Sequence, residues 1–420
     1  LNVTGAVAGG TGLASITTTG GALAVTTGSV SGTGVTLTGQ GVTQSSSSAI
    51  AAGTGLAKIV GNDGTTAGAI NLAGGTTGAN VTVQNATTVA LGNVTTAGTL
   101  TVGAGDVSAA VTQNTNTSIN ASVLTANTTS SINLTPSGTG SNNIATLGSI
   151  TRGGQLDVVD TATTLTVTGP ITAGTITNAV NITNAGGLAI NGNISTSGTN
   201  NIALVATGAT SDVTLNGATS TGSGNVTVAA GRNIAINTGG DITTTGNVTL
   251  NSAQTAATGT ITESGSGKVL TAALLTTNSK GGQTLNGANT VVSFNATNTT
   301  SGNIALANTA ATLTVTGLSQ AGSGSVSVTN TGNVNVTGAV SFDGSATLTS
   351  AGSETDITVS NVISRNTTTA GALNIGATRN VIFNSGGGVN ATGVGGSLAV
   401  TLNSDTNGAG GGAIQVGDGV

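Results

Sequence analysis

Gly224-Asn225-Val226-Thr227-Val228-Ala229-Ala230-Gly231-Arg232-Asn233-Ile234-Ala235-Ile236, followed by Asp241-Ile242 and Gly246-Asn247-Val248-Thr249-Leu250, sets the pattern for the chain. In most of these runs two branched aliphatic residues flank a small or polar one, so both point to one face of an extended strand. The runs stop at Gly or Asn, residues that tolerate left-handed turn conformations. The starts Val226, Ile234, Ile242 and Val248 follow one another at 8, 8 and 6 residues, 22 in all. Three short strands and three turns therefore complete one winding, and the fourth strand returns above the first.

The same alternation recurs at Ile304-Ala305-Leu306, Leu313-Thr314-Val315, Val326-Ser327-Val328 and Val334-Asn335-Val336. No apolar stripe at helical spacing is sustained, and Glu, Lys, Leu and Arg are too rare to build one. The chain is expected to be all-β, an elongated parallel β-helix of roughly 20–24 residues per coil, with residues 1–420 forming a single continuous solenoid. About 20 coils at the inter-strand spacing would give a rod on the order of 95 Å. Inward Val, Ile, Leu and Ala would form a narrow core, Asn would stack between coils, and Pro136 and Pro170 belong at turns or strand ends.

Composition supports this and excludes much else. Of 420 residues 70 are Gly and 2 are Pro, there is no Cys, His, Met, Trp or Tyr, and the three aromatics are Phe294, Phe342 and Phe383. The absence of a Gly-X-Y period excludes collagen. A hydrophobic content of 36% with a mean hydropathy of +0.28 argues against disorder. An outer-membrane barrel would need longer strands and aromatic girdles, and a string of β-sandwiches would carry larger core residues. Lys58, Arg152, Arg232, Lys268, Lys280, Arg365 and Arg379 are scattered against a net charge of -5, so no phosphate-gripping patch forms and nucleic acid is not an expected partner. No apolar run approaches the ~20 residues of a transmembrane helix. The amino terminus has no signal-peptide pattern, so the sequence is expected to be a processed chain or a segment of a longer exoprotein.

The Gly-Asn-Val-Thr-Val and Gly-Asn-Val-Thr-Leu runs at Gly224 and Gly246 resemble filamentous-haemagglutinin repeats of two-partner-secretion exoproteins, a style shared with autotransporter passengers. The resemblance is clearest from about Leu165 to Val416. It implies a right-handed β-helix, export from a Gram-negative bacterium through an outer-membrane secretion partner, and an extracellular structural or adhesive role in a surface fibre or adhesin stem. The family's amino-terminal secretion signature is absent from this sequence.

Catalytic, cofactor and metal sites are expected to be none. His and Cys are missing, so acid-base or nucleophilic work would fall to carboxylates. Glu354 and Asp356, at i, i+2, would share a strand face. Asp157 and Asp160 lie near Arg152 and make the candidate patch of an alternative function, a carbohydrate-binding or polysaccharide-cleaving β-helix. Asp63 in Gly61-Asn62-Asp63-Gly64 is a turn residue without the tandem repeat of calcium-binding rolls. Among many Asn-x-Ser/Thr triplets, Asn80, Asn93, Asn127, Asn295, Asn298 and Asn366 are candidate glycan acceptors. Weak mutual repulsion and a neutral Thr, Ser and Asn surface point to self-association into fibres, end to end through uncapped coils, and to host or matrix carbohydrate as a partner.

Overall fold

Val226 lies beside Val248 and Val228 beside Leu250 in parallel register, so the 22-residue winding is the coil of the structure. The column continues through Leu275, Phe294, Val315, Val336, Val359 and Phe383, one aliphatic or aromatic side chain per coil. The strand Val226–Ala230 shows why: Val226, Val228 and Ala230 are buried, while Thr227 and Ala229 face outward. That alternation follows from the two-residue period of a strand.

The computed structural model describes residues 1–173, 179–365, 367–392 and 397–418. It is all-β, with no helix among the described residues, and the chain divides into two compact units, Leu1–Ala206 and Thr207–Val420. In the first unit one ladder runs through ten strands from Asn2–Val3 to Ile202–Ala206, nine turns. In the second a ladder of nine strands from Val213–Leu215 to Leu398–Asn403 makes eight. The total of about 17 turns is fewer than the 20 expected. Some windings carry long corner loops: Thr43 pairs with Asn71, and Ala235 with Thr262.

Close stacking fixes some of the glycines. A Cβ on Gly92 would lie 1.8 Å from the Leu72 carbonyl, and one on Gly324 would lie 1.7 Å from that of Gly302. All three phenylalanines lie inside the second unit, Phe294 and Phe342 fully buried and Phe383 nearly so. Pro136 and Pro170 fall outside strands, Pro170 directly before Ile171–Ala173.

Each unit also changes its outline once. In the first, a ladder through Val94 and Ile119 ends at Ile144, and a new one opens through Ile150, Ile171 and Ile194. In the second, the ladder through Ile242 and Val269 ends near Val291, and another opens through Leu318, Val340 and Ile363. A ladder that ends leaves main-chain N–H groups to be satisfied, and buried amide side chains meet that need.

Candidate functional site

Asn142 and Asn289 stand at equivalent places in the two units. Asn142 Oδ1 accepts from the Ile119 N–H (2.9 Å), and its Nδ2 donates to the carbonyls of Leu134 and Val159 (both 3.1 Å). Asn289 Oδ1 accepts from the Val269 N–H (2.7 Å), and its Nδ2 donates to the carbonyls of Leu285 (3.1 Å) and Ala307 (3.2 Å). One coil later Asp160 Oδ1 accepts from the Ile144 N–H, and Asn308 Oδ1 from the Val291 N–H, each at 2.8 Å. In the coil after that, Asn184 Nδ2 donates to the carbonyls of Ala162 (2.9 Å) and Gly187 (2.7 Å), and Asn330 Nδ2 to those of Ala310 (2.9 Å) and Asn333 (2.8 Å).

The sequences around these columns match as well. Val158–Gly169 reads VVDTATTLTVTG and Leu306–Gly317 reads LANTAATLTVTG, eight of twelve positions identical, with Asp160 aligned to Asn308. This internal repeat and the buried amide columns were missed by the sequence reading. In a chain rich in Gly and Asn, an Asn reads as a turn residue. The available signal was strand parity, which puts Asp160 on the face of Leu156 and Val158, and Glu263 on the face of Ile261.

The same parity divides the proposed carboxylate patch. Asp157 faces outward, accepting from Gln155 Nε2 (2.8 Å) and Asn181 Nδ2 (2.6 Å), whereas Asp160 is buried. Residues three apart on a strand fall on opposite faces, so Asp157 and Asp160 cannot work on one substrate. Arg152 is fully buried at the end of Asn143–Arg152: Nη1 donates to the Gly154 carbonyl, and Nε and Nη2 have no hydrogen-bond partner. Burial lowers its pKa to about 10, an effect that Asp157 opposes, which leaves the guanidinium charged at neutral pH.

Glu354 and Asp356 share no strand face either. Both precede Ile357–Val359, Glu354 in a turn with φ of 54°. Asp356 accepts from Arg379 Nε (2.8 Å) and Nη2 (2.6 Å), and the hydrogen bond from Arg379 holds its carboxyl below the usual range. Arg232 and Asp212 form the same bidentate pair. Asp63 is a turn residue in an exposed loop, its carboxylate accepting from Thr65 Oγ1 and the Gly20 N–H, each at 2.6 Å. Among the described residues no three His, Cys, Asp or Glu side chains gather as a metal site.

Two carboxyls are pushed upward. Burial raises Asp160 to about 6, against hydrogen bonds from the main chain of Ala162, Ile144 and Thr161. Burial also raises Glu263 to about 7, against hydrogen bonds from Asn289 Nδ2 (2.9 Å) and the Gly287 N–H (2.8 Å), and nearby Asp241 adds to the rise. Asp241 is itself paired with Lys268 Nζ at 2.7 Å.

No family model, curated protein or solved structure matches the chain. Function must therefore be argued from its surfaces. Asn80, Asn93 and Asn127 are exposed and Asn295 is half-buried, but Asn298 is fully buried with Nδ2 donating to Ser301 O (2.8 Å) and Gln320 Oε1 (3.1 Å), an amide closed to a glycan. Asn366 lies outside the described residues. An open trough of about 550 Å³ on the second unit is lined by Thr243, Thr245, Leu270, Thr290 and Val292 among others, none of them charged. The first coil of the first unit leaves Leu1 and Leu13 more than 60% exposed, and the last coil of the second leaves Val400, Ile414 and Val416 at 45% to 64%. Among the described residues, the strands of both coils are paired on one edge only.

Proposed function

We propose that the chain is an extracellular structural or adhesive β-solenoid, part of a surface fibre or adhesin stem, that associates with further copies of itself. The observation that carries this reading is the uncharged open trough of the second unit, lined by Thr243, Thr245, Leu270, Thr290 and Val292, with Val292 itself exposed. A neutral face of this kind lets a second copy approach without charge repulsion. The role is non-enzymatic, in keeping with a charged content of 5% and the separation of Asp157 from Asp160. Placement outside a Gram-negative cell rests on the haemagglutinin-like repeats, and a neutral hydroxyl and amide surface suits contact with host or matrix carbohydrate.

Mass photometry at micromolar concentration tests the association. The wild-type chain is expected to form integer multiples, and Thr245→Lys with Val292→Lys, which place charge in the trough, to return it to the monomer. A wild-type chain that stays monomeric would overturn the reading. So would association unchanged in the double variant.

A further inference from the structure

Three strands end alike: Val42-Thr43-Gln44, Val111-Thr112-Gln113 and Ile261-Thr262-Glu263. The two glutamines share a role. Gln44 Nε2 donates to the Ser48 carbonyl (3.1 Å) and Gln113 Nε2 to the Thr117 carbonyl (2.8 Å), four residues on in each case. Gln113 Oε1 then accepts from Asn142 Nδ2 (3.0 Å). Glu263 Oε2 accepts from Asn289 Nδ2 in the same way, but Oε1 is buried without a hydrogen-bond partner. The carbonyl four residues on is that of Gly267. It borders the same glycine as the carboxyl: a Cβ on Gly287 would lie 2.1 Å from Gly267 O and 3.0 Å from Glu263 Oε2.

Asp160 presents the matching case. Its counterpart Asn308 donates from Nδ2 to Asn330 Oδ1 (2.9 Å). Asp160 pairs in register with Asn184, the counterpart of Asn330, and Asn184 Oδ1 is buried with no hydrogen-bond partner. At each of the two places a buried oxygen has no hydrogen-bond partner, Asn184 Oδ1 beside Asp160 and Oε1 of Glu263 itself, and at each a carboxyl stands where the equivalent residue is an amide. An unmatched buried acceptor is costly, and a buried unpaired carboxylate more so.

We propose that Asp160 and Glu263 are held as neutral acids that take the place of amides, and that their ionisation on raising the pH loosens the coils around them. The Asp160 proton goes to Asn184 Oδ1 and the Glu263 proton to the Gly267 carbonyl. Around Asp160 lie the uncharged Asn142 and Asn184, and no charged side chain contributes to its shift. Facing Glu263 are Asp241 with its partner Lys268 on one side, and Asn289 and the Gly287 N–H on the other.

Well below pH 4 both groups carry protons in the folded and the unfolded chain. Between about pH 4 and 7 the unfolded chain releases protons that the folded chain keeps, so stability falls as pH rises and the loss is complete above the folded values. Each unit of displacement is tenfold in the folding equilibrium, on the order of a hundredfold per acid. Carboxyl carbon NMR of the Asp- and Glu-labelled full chain, assigned with D160N and E263Q, reads the protons directly. At about pH 5, where ordinary carboxyls are ionised, two carboxyls are expected to remain neutral. Urea midpoints are expected to fall between pH 5 and 8 in the wild type, less in each variant, and not at all in D160N/E263Q. Two ionised carboxyls at pH 5, or variants as pH-sensitive as the wild type, would overturn the proposal. If a variant fails to fold, the wild-type titration decides alone.

Discussion

The stretch around Asp160 and the stretch around Asn308 share eight of twelve residues in nearly the same coil, and the buried polar position is among the four that differ. Asn308 both accepts from the Val291 N–H and donates to Asn330 Oδ1, so its column is closed. Asp160 accepts in the same way but has nothing to donate unless protonated, and Asn184 Oδ1 is left open. The solenoid core is therefore more than a column of aliphatic side chains. Where a ladder ends, its stability depends on amide groups that act as donor and acceptor together.

The largest effects are expected where hydrocarbon fills matching places. Leu147 and Phe294 occupy the same column position in the two copies, Leu124 to Leu147 to Val167 and Leu275 to Phe294 to Val315. Leu147→Ala should cost about 2–5 kcal/mol and Phe294→Ala about 3–5 kcal/mol in urea denaturation. Losses well below 1 kcal/mol would show that these places are not packed alike.

Asn308→Asp transplants the acid of the first copy into the second. It should cost about 1–3 kcal/mol at pH 8, where Asn330 Oδ1 loses its donor, and recover most of that at pH 4. Gln113→Glu makes the reciprocal exchange with Glu263 and should behave in the same sense, more weakly because Gln113 is only partly buried. If either variant melts alike at the two pH values, the equivalence of the copies is broken. The smallest effect belongs to the surface. Asp356→Asn removes the half-buried partner of the exposed Arg379 and should cost no more than about 1 kcal/mol, shrinking in high salt. The hydrogen bond from Arg379 lowers the Asp356 carboxyl, so its contribution is present at neutral pH and is lost as the pH falls below about 4. That is the opposite sign to Asp160 and Glu263.

Much of the fold was legible because strand period and coil length are written in small, regular units. Val226 to Val248 gave both the register and the winding. The turn count was too high because loops such as that of Asp63 lengthen single coils without leaving an apolar pattern. The polar interior was hidden for a different reason. Asn184, Asn289 and Asn308 sit beside Thr, and Asn142 between Ser141 and Asn143, like any turn residue, and only their coil neighbours reveal that they are enclosed. Charged residues seldom enter a core, so the sequence places Arg152 and Asp160 on a surface, yet both lie inside.

The free energy of unfolding of the wild-type chain at pH 5 and at pH 8 puts the acid-for-amide exchange to its most direct test. A lower value at pH 8, with the fall confined to the window of about pH 4 to 7, is the expected result. Equal values, or a higher value at pH 8, would contradict it.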